Sequence, residues 1–154
     1  MSKEQKVGIM GGTFDPIHYG HLVTAEEARI HFDLDKVVFV PAGHPSHKKD
    51  YDVTLMEDRY LMTALAINTN PFFEISRMEL DRGGLSYTIE TLKQFSEEYG
   101  PSTSLYFISG ADAVLDILTW KDVGEVLSYC TFIAATRPGY PVERLWQKLA
   151  EIKQ

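Results

Sequence analysis

The chain has 154 residues, 44% of them hydrophobic, and a formal net charge of −7 from 15 Lys and Arg against 22 Asp and Glu. That length suits one domain with a real core, and the composition excludes a disordered polymer and a membrane protein. The acidic balance argues against a nucleic-acid coat or a binder of anionic membranes, but leaves room for a local anion site.

The polar start, Met1-Ser2-Lys3-Glu4-Gln5-Lys6, leads straight into a strand and is not a signal peptide. No apolar run approaches the ~18 residues of a membrane span. The spacing then predicts a strand over 6–10 that ends at glycines and a helix over 22–32. A β-branched strand over 36–41, "KVVFVP", is stopped by proline. A helix is expected over 54–67, with Thr54 as N-cap and Glu57 completing a capping box. A strand over 72–76, a helix over 87–99 closed by Gly100-Pro101, and a strand over 104–109 follow. Short helices over 113–117 and 122–127, a strand over 131–135 and a helix over 142–152 complete the chain. The single cysteine, Cys130, lies in the apolar stretch Tyr129-Cys130-Thr131-Phe132 and reads as a reduced core residue. A cytoplasmic protein is expected.

Strands separated by helices indicate an α/β fold: a doubly wound parallel sheet with right-handed crossovers and helices on both faces. In such sheets, ligands bind beyond the carboxyl ends of the strands, where the strand order reverses. The longest irregular stretch, 42–53, "AGHPSHKKDYDV", reads as functional or mobile.

The segment after the first strand, "GGTFDPIHYGHL" at 11–22, is neither a G-x-G-x-x-G turn nor a P-loop. Gly11 and Gly12 let a ligand approach the backbone closely, and Pro16 stiffens the loop. The next helix begins near His18–Gly20, and its first N–H groups favour an anion. His18 and His21, three apart, share one helix face, and Gly20 between them removes a side chain that would crowd a bound group. Glycine backbone, a helix N-terminus and two imidazoles suit a polyphosphate. A zinc pair is the weaker reading, since a tetrahedral site needs further ligands. Either histidine taken alone could be a cap or a core group.

"GGTFDPIHYGH" resembles the signature of the nucleotidylyltransferase superfamily with the H-x-G-H motif. "VPAGHPSHK", "GGLSYTIETL", "YFISGADAVLDILTWKD" and "ATRPGY" follow in order and resemble bacterial nicotinate-nucleotide adenylyltransferases. The resemblance runs from Lys6 to about Tyr140 and implies a Rossmann-like sheet. It implies adenylyl transfer from ATP to nicotinate mononucleotide, giving deamido-NAD and pyrophosphate in NAD biosynthesis. Mg²⁺ is expected on the triphosphate, held mainly by substrate and water, with no protein metal site.

By the same resemblance, Gly11, Gly12, Thr13, Phe14, His18, His21, Gly110, Asp112 and Arg137 bind ATP. His47, Lys48, Tyr87, Thr88 and Trp120 bind nicotinate mononucleotide, and His18, His21 and Lys48 are the catalytic group. Each residue also has a plain structural reading. Thr88 would be a helix N-cap with Tyr87 a boundary aromatic, Asp112 a cap, Trp120 core, Arg137 an exposed loop residue, and the His44–Lys49 cluster a solvated basic patch. Family members usually continue past such a chain with a Ser/Thr-rich turn and an arginine on the ATP phosphates, so a single nucleotidylyltransferase domain truncated at its C-terminus is expected. An edge or apolar face left by that truncation would favour association into a homo-oligomer. The alternatives are an adenylyltransferase for nicotinamide mononucleotide, a nucleotidylyltransferase for another small molecule, and a nucleotide-binding fragment without turnover. No nucleic-acid or membrane partner is expected.

Overall fold

A computed structural model describes residues 4–45, 53–110, 123–136 and 143. The strands run β1 (Gln5–Gly12), β2 (Lys36–Pro41), β3 (His44–Pro45), β4 (Phe73–Ile75), β5 (Leu85–Ser86), β6 (Thr103–Gly110) and β7 (Thr131–Ala135). The helices are α1 (Tyr19–His31), α2 (Met56–Ile67), α3 (Met78–Arg82), α4 (Thr88–Tyr99) and α5 (Val123–Tyr129). Five strands form one sheet in the order β4-β2-β1-β6-β7, and every pairing in it is parallel. This is the expected doubly wound arrangement. Its strand order reverses at β1, whose two neighbours β2 and β6 lie on opposite sides.

Side chains alternate across a strand, so each face of the sheet builds its own core. Val7, Ile9, Val38, Val40, Leu105 and Phe107 pack with Met78 of α3, with Ile89, Leu92 and Phe95 of α4, and with Val126 of α5. Met10, Val37, Phe39, Ile108 and Ile133 pack on the other face with Ala25 and Ala28 of α1 and Ile67 of α2. Gly8 is required on that second face. A Cβ there would sit 2.9 Å from Leu34 Cδ1 and 3.0 Å from Ile108 Cδ1.

Most predicted elements form, with shifted ends. The predicted start of α2 is corrected. Leu55 holds its N-cap position without a side-chain cap, so Thr54 and Glu57 make no capping box. Tertiary partners have taken both residues: the Thr54 N–H donates to Asp15, and Glu57 pairs with Arg77, which holds the N-cap position of α3, at 2.6 Å. The short pair β3–β5 and the helix α3 are additions. Neither has enough periodic sequence to announce itself. The predicted element over 113–117, and that over 142–152 apart from Glu143, lie outside the described residues.

α1 ends in a Schellman turn. Leu34 N–H donates to Arg29 O at 2.9 Å, Asp33 N–H donates to Ile30 O, and Asp33 takes a left-handed φ of 54°. A β-branched residue tolerates that conformation poorly. Asp33→Val should therefore cost about 1–2 kcal/mol, while Asp33→Gly should cost nothing, as read from urea-unfolding midpoints.

Candidate active site

The site is built where β1 ends. Gly12 is level with Pro41 of β2. The β1–β6 register pairs Ile9 with Phe107, and continuing that offset sets Gly12 level with Gly110. The loops after β1, β2 and β6 therefore leave from one edge of the sheet.

The loop after β1 is held by packing rather than by length. Phe14 is 2% exposed and has a left-handed φ of 51°, a conformation that costs a non-glycine residue energy. Its ring meets His21 edge-on at 5.1 Å between centroids and Phe39 at 5.9 Å. A Cβ on Gly12 would come within 3.1 Å of the Phe14 ring. Gly12 thus lets the Phe14 ring lie against the strand end, and that ring walls His21.

α1 begins where the sequence predicts, but its first N–H groups are not left open. The Gly20 N–H donates to His18 Nδ1 and the His18 N–H donates to His21 Nδ1, both at 3.1 Å. The two imidazoles stack with centroids 3.9 Å apart. A ring nitrogen that accepts cannot also carry the proton, so this geometry puts the proton of each neutral ring on Nε2. Both rings then present a donor away from the helix. Gly20 is needed for His18 itself: a Cβ there would lie 2.8 Å from the His18 ring. Burial, and then the neighbouring His18, lower the pKa of His21 to about 4.

Sequence reasoning passed over Arg59 and Asp15. Arg59 is 1% exposed, and its guanidinium donates to Thr54 O, Thr13 O, Ala42 O and Gly43 O. Asp15 accepts from the Thr54 N–H at 2.8 Å. A signal for Arg59 exists in the sequence: it shares the buried stripe of α2 with Thr63 and Ile67, at i+4 and i+8, where a lone cation needs internal partners.

Tyr87 and Thr88 stand at the start of α4, but with places exchanged relative to the plain structural reading. Tyr87 occupies the N-cap position without a side-chain cap bond, and Thr88 is the first helical residue. Gly110 ends β6. Cys130 is half-buried, and burial pushes its thiol up to about 11, in keeping with a reduced core residue. His47, Lys48, Lys49, Asp112, Trp120 and Arg137 lie outside the described residues. Among the described residues, no group of three or more His, Cys, Asp or Glu is placed to hold a metal ion, and no helix is long and apolar enough to cross a membrane.

The profile of the cytidylyltransferase-like family matches residues 9–153. A probable nicotinate-nucleotide adenylyltransferase of Moorella thermoacetica is 63% identical over 145 residues, covering 94% of this chain and 67% of that protein. One from Thermoanaerobacter sp. is 60% identical over 154 residues, covering all of this chain and 73% of that protein. The chain belongs to the cytidylyltransferase-like family and, within it, to the nicotinate-nucleotide adenylyltransferases. The fold of this family is equally plain in a solved structure, the Plasmodium falciparum nicotinic acid mononucleotide adenylyltransferase complexed with APC. That structure superposes with a TM-score of 0.76 at 22% identity, covering 94% of this chain and 70% of the other.

The His21 environment has a consequence for stability. Below pH 6.5 the unfolded chain binds a proton at His21 that the folded chain refuses until about pH 4. The stabilisation is therefore complete above pH 6.5 and is lost as the pH falls through that window. His21→Gln keeps an acceptor for the His18 N–H but does not titrate. Urea unfolding at pH 7 and pH 5 should show a smaller loss of stability for this variant than for the wild type.

Proposed function

We infer that this chain joins ATP and nicotinate mononucleotide to give deamido-NAD and pyrophosphate. The observation that carries the reading is the pair of stacked, Nδ1-anchored imidazoles at the end of β1, in a chain 63% identical to a probable nicotinate-nucleotide adenylyltransferase. A phosphate oxygen of the mononucleotide attacks the α-phosphorus of ATP. The new P–O bond forms as the bond to the bridging oxygen breaks, and pyrophosphate leaves. The attacking phosphate is already ionised, so the protein need not supply a base. Its work is positioning and charge stabilisation.

Gly11, Gly12, Thr13 and Phe14 form the floor on which the ATP phosphates lie. His18 and His21 donate from Nε2 to phosphate oxygens as charge develops. A neutral donor suffices for this, in accord with the low pKa of His21. Gly110, Asp112 and Arg137 hold the adenylyl side, and His47, Lys48 and Trp120 the mononucleotide. Lys48 would supply a point charge on the transferring group. Tyr87 and Thr88 offer the N-terminal N–H groups of α4 to the nicotinate carboxylate.

Mg²⁺ would arrive on the triphosphate. The described donors are imidazoles and N–H groups, which suit the anion and form no cage for a hard cation. We read residues 1–154 as one nucleotidylyltransferase domain.

Two measurements test the assignment. Pyrophosphate release with ATP should be far faster with nicotinate than with nicotinamide mononucleotide, because a carboxamide turns an NH₂ toward N–H donors. Equal kcat/KM for the two would refute the carboxylate site. His21→Ala should lower kcat by roughly 10²–10³-fold with little change in KM, the signature of a donor used only in the transition state. Wild-type turnover in the variant would remove His21 from the catalytic group.

A further inference from the structure

Arg59 lies on the buried face of α2, and four backbone carbonyls share its guanidinium. Nη1 takes Thr13 O at 2.9 Å, in the loop after β1, and Ala42 O at 2.6 Å, just past β2. Nη2 takes Gly43 O at 2.9 Å, and Nε takes Thr54 O at 2.8 Å. Buried carbonyl oxygens each need a donor, and a planar fork can reach several at once.

The connection continues past Gly43. The next residues, His44 and Pro45, form β3 and pair with Leu85 and Ser86 of β5. β5 runs directly into Tyr87 and the start of α4. Gly43 is pressed against α3, where a Cβ would lie 2.7 Å from Glu79 O, so this stem has little room to shift independently. A continuous path of hydrogen-bonded backbone therefore leads from Thr13, through Arg59, Gly43 and the β3–β5 ladder, to the Tyr87–Thr88 turn.

We propose that Arg59 is a positioning residue that couples the ATP loop after β1 to the mononucleotide turn before α4, so that filling one substrate site favours filling the other. The inference rests on the assignment of those two loops to the two substrates. Ordering Thr13 and its neighbours around a triphosphate fixes one end of the guanidinium's carbonyl set. The same cation then fixes the β3 stem, and less ordering remains to be done when the mononucleotide arrives. A lysine cannot replace it, because one ammonium nitrogen cannot span carbonyls set around a planar fork.

The test is calorimetric binding of nicotinate mononucleotide to the wild type and to Arg59→Lys, each with and without saturating α,β-methylene-ATP. In the wild type the analogue should tighten mononucleotide binding by roughly 5-fold or more. In Arg59→Lys that ratio should fall to about one. A purely structural role would lower the melting temperature and leave the ratio alone. Binding of both ligands without coupling in the wild type, or full coupling in the variant, overturns this inference and leaves the functional assignment standing. Failure of the wild type to bind either nucleotide overturns the assignment itself. Should Arg59→Lys not fold, hydrogen exchange on the wild type decides. The analogue alone should slow exchange of the amides at 85–88, and unchanged rates there would overturn the coupling.

Discussion

The parallel pairing of β1 between β2 and β6 is the constraint on which everything else rests. Parallel strands share a direction, so their carboxyl ends finish together and every following loop starts from one edge. The register makes this concrete, with Gly12 beside Pro41 on one side and aligned with Gly110 on the other. Two cores, one on each face, hold that register against slippage. A slip of one residue would exchange Val38 and Val40 for Val37 and Phe39 on both faces.

A sheet edge of this kind ends in backbone polar groups that no ladder satisfies, and the chain answers the two polarities differently. Carbonyl oxygens at the loop bases turn inward and meet Arg59. N–H groups at the start of α1 turn toward the site and meet imidazole nitrogens. The outcome is a pair of imidazole donors at this edge on a chain whose net charge is −7. Global charge is screened over about 8–10 Å in physiological salt, whereas a donor in contact with a phosphate is not. An acidic protein can therefore carry an anion site without contradiction.

The histidines show how one group serves structure and chemistry together. Nδ1 is committed to the helix, and Nε2 is left for the ligand. Burial keeps His21 from charging, so its Nδ1 stays an acceptor for the His18 N–H while Nε2 donates, without the cost of holding an imidazolium beside a second ring. Phe14 contributes from the other side, since its strained backbone puts an apolar wall against the same imidazole.

Sequence alone determined the alternation of strands and helices, the parallel class of the sheet and the H-x-G-H loop at the end of the first strand. These are local or periodic properties. A run such as "KVVFVP" is buried wherever it lies in the chain, and His18 and His21 share a helix face because three residues make most of a turn. Tertiary structure alone decided the start of α2, where Asp15 and Arg77 claim Thr54 and Glu57 before a capping box can form. It also decided the β3–β5 pair and the burial of Arg59. Each of these depends on a partner distant in the chain, and Arg59 reaches Thr13 across a separation of 46 residues. Sequence patterns record what a residue prefers, but only the folded chain sets which distant carbonyl comes within 3 Å of a guanidinium.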